Sequence, residues 1–158
     1  MFREMIRKDK QLPTEVCRQL LIEEKRGILS VIGEDGYPYG TPMNHWYDEE
    51  CGKIYFHCGR IGHRLDALER CDKASFCVVD KGEPSDKPWA LTVKSVIVFG
   101  RVEIIDDAAL MADVATKLSY KFTQDDEYIR GEIEQSGPAT LLLCLTPEHI
   151  CGKQVVEA

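Results

Sequence analysis

Apolar residues along this chain change period, from helical to alternating and back, and those changes divide it into elements. Behind Pro13 and Thr14, Val16, Leu20 and Leu21 share one helical face ahead of Glu23-Glu24-Lys25-Arg26 and Gly27. The pattern predicts a first helix, capped by Thr14 and stopped by Gly27. Ile28 to Ile32 then predicts a strand, Glu34-Asp35-Gly36 a tight turn and Pro38 to Tyr47 a second strand, together a hairpin. Pro42 has no N–H to give to a ladder, which puts its strand at a sheet edge or at a bulge. After the turn Asp48 to Gly52, Lys53 to Cys58 forms a third strand, Gly62 to Arg70 a short helix and Ala74 to Val79 a fourth strand.

Lys81 to Trp89, with Gly82, Pro84 and Pro88, reads as a loop. Ala90 to Ile105 is a long β-rich run in which Gly100 marks a bend or bulge. Asp106 or Asp107 caps a helix whose buried face carries Leu110, Met111, Val114, Leu118 and Phe122, and a second helix covers roughly Asp125 to Glu134. Thr140 to Leu145 is a buried final strand, and Pro147 to Ala158 a tail with little periodicity. Strands joined mostly by short turns, with helices at the start and late in the chain, indicate an antiparallel sheet of the α+β class, mainly β. Neither a regular βαβ alternation nor a glycine-rich nucleotide fingerprint is present, which disfavours Rossmann and P-loop sites.

At 158 residues the chain has the length of one domain, and 44% hydrophobic with 30% charged residues is the balance of a folded globular protein. A net charge of −7 argues against a broad nucleic-acid-binding face. Nine acidic and three basic residues between Glu103 and Glu134 read as a solvated helical face. No apolar run reaches the roughly 20 residues of a membrane span, and Met1 to Lys8 lacks the apolar core of a signal peptide. Seven cysteines without such a peptide point to reduced thiols in the cytoplasm rather than a disulfide framework. Cys51, His57, Cys58, His63 and Cys71 cluster in sequence, but their spacings match no zinc pattern, so no metal is expected.

One stretch opposes the acidic balance. In Ile54 to Leu68 an apolar strand runs into Gly59-Arg60-Ile61-Gly62-His63-Arg64 and then into a helix. Glycines let backbone N–H groups approach a ligand, and a helix start adds unpaired N–H groups and a positive dipole end. An anion is the natural occupant of such a corner, although a solvated strand-to-helix turn has the same composition.

Four segments in register then carry a resemblance along nearly the whole chain: Met1 to Met5, Asp35 to Pro42, Ile54 to His57 leading to Gly62-His63-Arg64, and Ser95 to Gly100. The chain resembles the flavin-binding split-barrel family, and within it the nitroimidazole-resistance (Nim) proteins, which are relatives of pyridoxamine phosphate oxidase. The resemblance implies a six-stranded antiparallel split β-barrel with peripheral helices, formed by residues 1–158, and a homodimer with FMN in clefts between the subunits. It implies that Tyr39, Thr41, Pro42, Met43 and Asn44 lie along the flavin ring, with His57 and Cys58 beside it. Arg64 takes the basic phosphate-binding position, where Nim proteins commonly have lysine, supported by His63 and Arg60. Ser95 matches a serine near the cofactor, although Val93-Lys94 replaces the usual Tyr-Arg before it. Lys153 matches a C-terminal lysine that reaches the partner's cleft. Trp46, Tyr47 and Trp89 read either as stacking partners of flavin or substrate or as core and interface residues.

His57 matches the histidine at the Nim cleft, a catalytic candidate that orients the substrate or transfers a proton; a histidine ending an apolar strand also serves as a structural hydrogen-bonding residue. The function implied is an FMN-dependent oxidoreductase passing electrons from a reduced carrier to a small organic acceptor, with nitroimidazole reduction as the Nim chemistry. A flavin-binding sensor or storage protein without turnover is the alternative. A strict pyridoxamine phosphate oxidase would need further basic residues for a second phosphate, and none can be placed.

Overall fold

The computed structural model describes residues 1–87 and 89–157; Pro88 of the predicted loop and Ala158 of the predicted tail lie outside it. Helix α1 (Thr14–Glu23) leads to strands β1 (Arg26–Ile32), β2 (Pro38–Asn44), β3 (Trp46–Asp48) and β4 (Lys53–Gly59). Helix α2 (His63–Arg70) precedes β5 (Lys73–Val79), the short β6 (Glu83–Pro84) and the long β7 (Leu91–Ile105). Helices α3 (Ala108–Ser119) and α4 (Asp126–Ser136) come before the last strand, β8 (Thr140–Val156). Among the described residues the strands form one antiparallel sheet in the order β2-β1-β5-β7-β8-β4-β3, with β6 on β7. The sheet curls into a half-barrel that brings β2 back against β4, the α+β split-barrel arrangement.

The β1–β2 hairpin closes as its sequence demands. Asp35 (φ 56°) and Gly36 (φ 77°) are both left-handed, and Tyr37 N–H donates to Glu34 O at 3.2 Å, the turn that Asp-Gly favours between twisted strands. The strand predicted from Pro38 to Tyr47 divides at His45: β2 pairs with β1, and β3 pairs with β4 at the other edge. Pro42 lies opposite Ile28 in unbroken register, so its tolerance comes from the edge position and not from a bulge. Gly27 does not stop α1 either. The helix ends at Glu23 with no side-chain cap at either end, and Gly27 stands inside β1, where a Cβ would collide with the Cys77 carbonyl and the Phe76 ring.

The predicted C-terminal tail is the main departure. Residues 147–156 continue β8, whose pairing with β7 extends from Ile105↔Leu142 to Thr92↔Val156. Between Phe99↔His149 and Gly100↔Pro147 one extra residue, Glu148, enters β8 and switches which positions face the core. That switch breaks the alternation in the sequence. Pro147 is accommodated because the β4 partner strand has already ended opposite Leu145. At the same bulge a Cβ on Gly100 would overlap the Thr146 carbonyl. Gly100→Ala is therefore expected to cost about 1–3 kcal/mol, read as a lowered Tm; an unchanged Tm would mean that β8 shifts freely at the bulge.

The inner face of the sheet carries the main core, with Leu29, Phe56, Phe76, Val78, Val96, Val98, Leu143 and Leu145 fully buried under α1 and α2. On the outer face α3 covers a second cluster of Tyr55, Leu142 and Cys144. Asp107 caps α3 by accepting from Leu110 N–H at 2.9 Å, and Asp125 caps α4 through Tyr128 N–H at 3.0 Å. Phe122 falls beyond α3 and is exposed beneath the Lys25 ammonium. The remaining outer face is bare of described helices and presents Ile28, Ile32, Val79, Ile97 and Phe99 to solvent, with the Phe2 and His149 rings beside Phe99 and Ser30 and Ser75 between the apolar positions. No described helix is long and apolar enough to cross a membrane.

Candidate functional site

The half-barrel leaves a split between its two ends. β3 shields β4 only as far as Tyr55, so from Phe56 to Gly59 the edge of β4 away from β8 is open, and β2 is itself an edge strand. Arg64, in the first turn of α2, bridges the split. Its Nη1 donates to Thr41 Oγ1 on β2 at 2.7 Å, and its guanidinium sits beside the Cys58 thiol on β4. Burial raises the Cys58 pKa, and Arg64 opposes that shift. Arg64 Nε is buried with no hydrogen-bond partner among the described residues. A guanidinium N–H left unpaired in this way is costly unless an acceptor meets it, and a phosphate oxygen suits its planar fork.

The local backbone serves the same purpose. Gly62, at φ +140°, starts α2 without a side-chain cap, and Leu65 and Asp66 N–H return to its carbonyl. The N–H groups of His63 and Arg64 therefore open the helix with no intrahelical acceptor. His63 stacks on Tyr39 at 4.2 Å between centroids. Five sequence candidates thus meet at one mouth: Tyr39 and Thr41 on β2, Cys58 on β4, and His63 and Arg64 on α2.

Other candidates go elsewhere. Arg60 is held in a two-pronged ion pair with Asp106 (2.7 and 2.8 Å) and donates a third bond to Pro138 O, so its cation is already matched. Met43 is a core residue, 8% exposed, because its side chain points into the barrel opposite Gly27. Pro42 and Asn44 alternate with it on the other face of β2. Ser95 and Lys153 are direct partners across β7 and β8. At ~4.8 Å per strand, Ser95 stands roughly 14 Å from β2, so neither joins Arg64 within one chain. Of the aromatic candidates, Tyr47 is core, Trp46 stacks on Tyr55 and Trp89 is exposed.

His57 follows the same alternation. Cys58 faces inward to Arg64, and His57 faces outward into a cleft of about 300 Å³ beneath α3 and α4. Met111, Ala115, Tyr128, Glu132 and Ser136 are among its walls. The ring has solvent access, but the surrounding walls desolvate it and lower its pKa, favouring the neutral imidazole. Tyr128, Glu132 and Ser136 escaped sequence reasoning because α4 reads as a solvated acidic helix. A residue pattern alone does not show that the helix stands over β4.

His45 was also missed. It is fully buried where β2 gives way to β3; its Nε2–H donates to Leu21 O at 2.7 Å, which leaves Nδ1 unpartnered among the described residues. Lys121, from the α3–α4 connection, donates to the carbonyls of Glu24 and His45. Burial first and Lys121 second lower the His45 pKa to about 3, and burial lowers Lys121 to about 8.

Solved structures share this architecture. A protein assigned to 5-nitroimidazole antibiotic resistance, from Bacteroides thetaiotaomicron, is 16% identical, with 92% of this chain and 87% of that one covered at a TM-score of 0.75. A conserved hypothetical protein from Mycobacterium tuberculosis is 20% identical, covering 95% and 90% at 0.79. A FAD-binding protein from Mesorhizobium loti is 20% identical, covering 92% and 97% at 0.69. At such identities the likeness is one of fold. No curated protein matches the sequence. Residues 13–154 match the family model described as pyridoxamine 5'-phosphate oxidase, and the chain belongs to that family.

Proposed function

We propose that this protein is an FMN-dependent oxidoreductase that passes electrons from a reduced carrier to a small organic acceptor. The observation that carries the reading is Arg64, whose orphaned Nε and charge stand at the start of α2, in the split between β2 and β4. Family membership and the FAD-binding neighbour support a flavin. Among the described residues at the split, Arg64 is the cation not matched by a carboxylate, since Asp106 neutralises Arg60; with His63 beside it, this suits a single phosphate monoester and favours FMN over a dinucleotide.

Bound FMN would supply reversible two-electron chemistry. The protein's part is to anchor the phosphate through Arg64 and the α2 N–H groups. The open edge of β4, with Cys58 facing one side and His57 the other, would receive the flavin ring. His57 in its neutral form orients an acceptor through a ring N–H rather than serving as a standing acid. Nitroimidazole reduction to an amine is the specific acceptor chemistry that the Nim resemblance offers. The cytoplasmic location expected from the free cysteines belongs to the same proposal.

An absorption spectrum of the purified protein tests the cofactor, and bleaching by NAD(P)H with reoxidation by an added acceptor tests turnover. Tight flavin with no turnover on any acceptor would instead favour a sensor or storage protein.

A homodimer is part of the reading. The bare outer face carries the register row Pro42–Ile28–Cys77–Ile97–Cys151, with Ser95 and Lys153 two residues further along β7 and β8. A second copy laid on that face removes exposed apolar surface and lets Lys153 approach the partner's split. Ile97→Glu is expected to yield monomers in sedimentation and to lower flavin occupancy. A monomer that keeps its flavin would contradict the interface reading.

A further inference from the structure

Beneath α3 and α4 the His57 cleft adjoins a second compartment of about 420 Å³ that shares Met111, Ile133, Gly137 and Thr140 with it. Together they form a trough on the outer face of the sheet. Its charge is one-sided. Among the described residues no lysine or arginine lines the His57 compartment, whereas Glu132 does and makes no ion pair. The neighbouring compartment holds one cation, Arg60, already spanned by both oxygens of Asp106. A phosphate or carboxylate entering the trough would meet carboxylates and a neutral imidazole, and would lose its hydration without recompense.

The apolar part of the lining has a different preference. Met111, Ala115, Ile129 and Ile133 make slab-like walls, with the Tyr128 ring at the rim. A volume of about 300 Å³ is at the small end of ligand sites and suits a compact aromatic group. Among the described residues no hydrogen bond to His57 is found, and burial alone shifts its pKa. The cleft therefore provides an apolar slot, a hydrogen-bonding imidazole at its floor and a carboxylate at its wall.

We infer that this trough is the acceptor compartment and that it selects a small, unphosphorylated aromatic which carries, besides the group to be reduced, an amine or other N–H donor that pairs with His57 and Glu132. The inference rests on the flavin-anchored reading for the word acceptor, but the binding preference stands on the cleft alone. Among the described residues the trough offers a phosphorylated ligand no cation that is not already paired.

The test is calorimetric titration of the flavin-loaded protein with tryptamine and with indole-3-acetate, which carry the same ring with an ammonium or a carboxylate. Glu132 is solvent-exposed, where an ion pair is screened, so tryptamine is expected to bind about 3- to 5-fold more tightly. Glu132→Gln is expected to bring the two affinities within about 1.5-fold of each other by the same reasoning, while flavin absorbance and Tm stay unchanged. Ala115→Phe, which fills the slot, should abolish binding of both. Equal affinities in the unmodified protein, no heat from either probe at millimolar concentration, or release of flavin by tryptamine would each overturn the assignment. If the protein holds no flavin, the same titration still decides. A charge preference that Glu132→Gln removes would keep the cleft as an amine site and discard only the flavin reading, and its absence would overturn both.

Discussion

Acidification from pH 6.5 to 4.5 is expected to destabilise the protein by about 2 kcal/mol through His45 alone, the slope steepening toward ~1.4 kcal/mol per pH unit at the acid end. In the unfolded chain the imidazole takes up a proton near pH 6.5; in the folded protein it stays neutral down to about pH 3. Throughout that window the unfolded state binds more protons, so stability falls as pH falls. The cause is geometric. His45 is wholly enclosed, spends its one N–H on Leu21 O, packs edge-on against Phe76 at 4.9 Å and has the Lys121 ammonium near it. A second positive charge has no partner there. His45→Gln keeps an N–H donor for Leu21 O but cannot titrate, so its urea-unfolding free energy should be flatter between pH 6.5 and 4.5. Parallel pH profiles for the two proteins would remove His45 as the acid-sensitive group. Lys121 acts at the other end of the scale with the same sign. Its lowered pKa means that the folded state binds fewer protons above about pH 8, so its contribution to stability rises with pH until the unfolded lysine also deprotonates.

Arg64→Ala is expected to weaken FMN binding by roughly 10- to 100-fold, the value of one or more charge-assisted bonds to a phosphate. Arg64→Lys retains the charge, loses the planar fork and should fall between the two. Arg60→Ala is the contrast. Because Arg60 serves Asp106 and Pro138, its loss should leave FMN affinity unchanged within about twofold. Fluorescence titration measures all three. Wild-type affinity in Arg64→Ala would remove Arg64 from the site, and an equal loss in Arg60→Ala would return both arginines to the phosphate.

The arginines show where reading the chain stops. Arg60, His63 and Arg64 lie within five residues and look equivalent as a basic turn. Arg64 and His63 occupy the first turn of α2 and reach β2, while Arg60 precedes Gly62 and is drawn to Asp106, far away in sequence. Adjacent His57 and Cys58 separate for a simpler reason, since successive strand residues face opposite sides. The family resemblance puts Met43 with Thr41 along the flavin ring, but its side chain is core, because which face of β2 is filled depends on its partner Gly27 and not on its neighbours.

By itself the sequence determined the local elements that short-range chemistry controls: the Asp35-Gly36 turn, an aspartate cap at 106 or 107 for α3, the start of α4 near Asp125, the apolar runs of β1, β4, β5 and β7, and the glycine-led start of α2; the structure settles the α3 cap on Asp107. It also carried the resemblance that family membership supports. Only the tertiary structure decided that β8 continues past its bulge, that β2 and the end of β4 are open edges facing one split, and that α3 and α4 roof His57. It also decided that His45 is sealed without a partner for a second proton. Each of these depends on which distant segment supplies a strand's hydrogen bonds or a side chain's enclosure, and long-range pairing leaves no periodic mark in the segment that receives it.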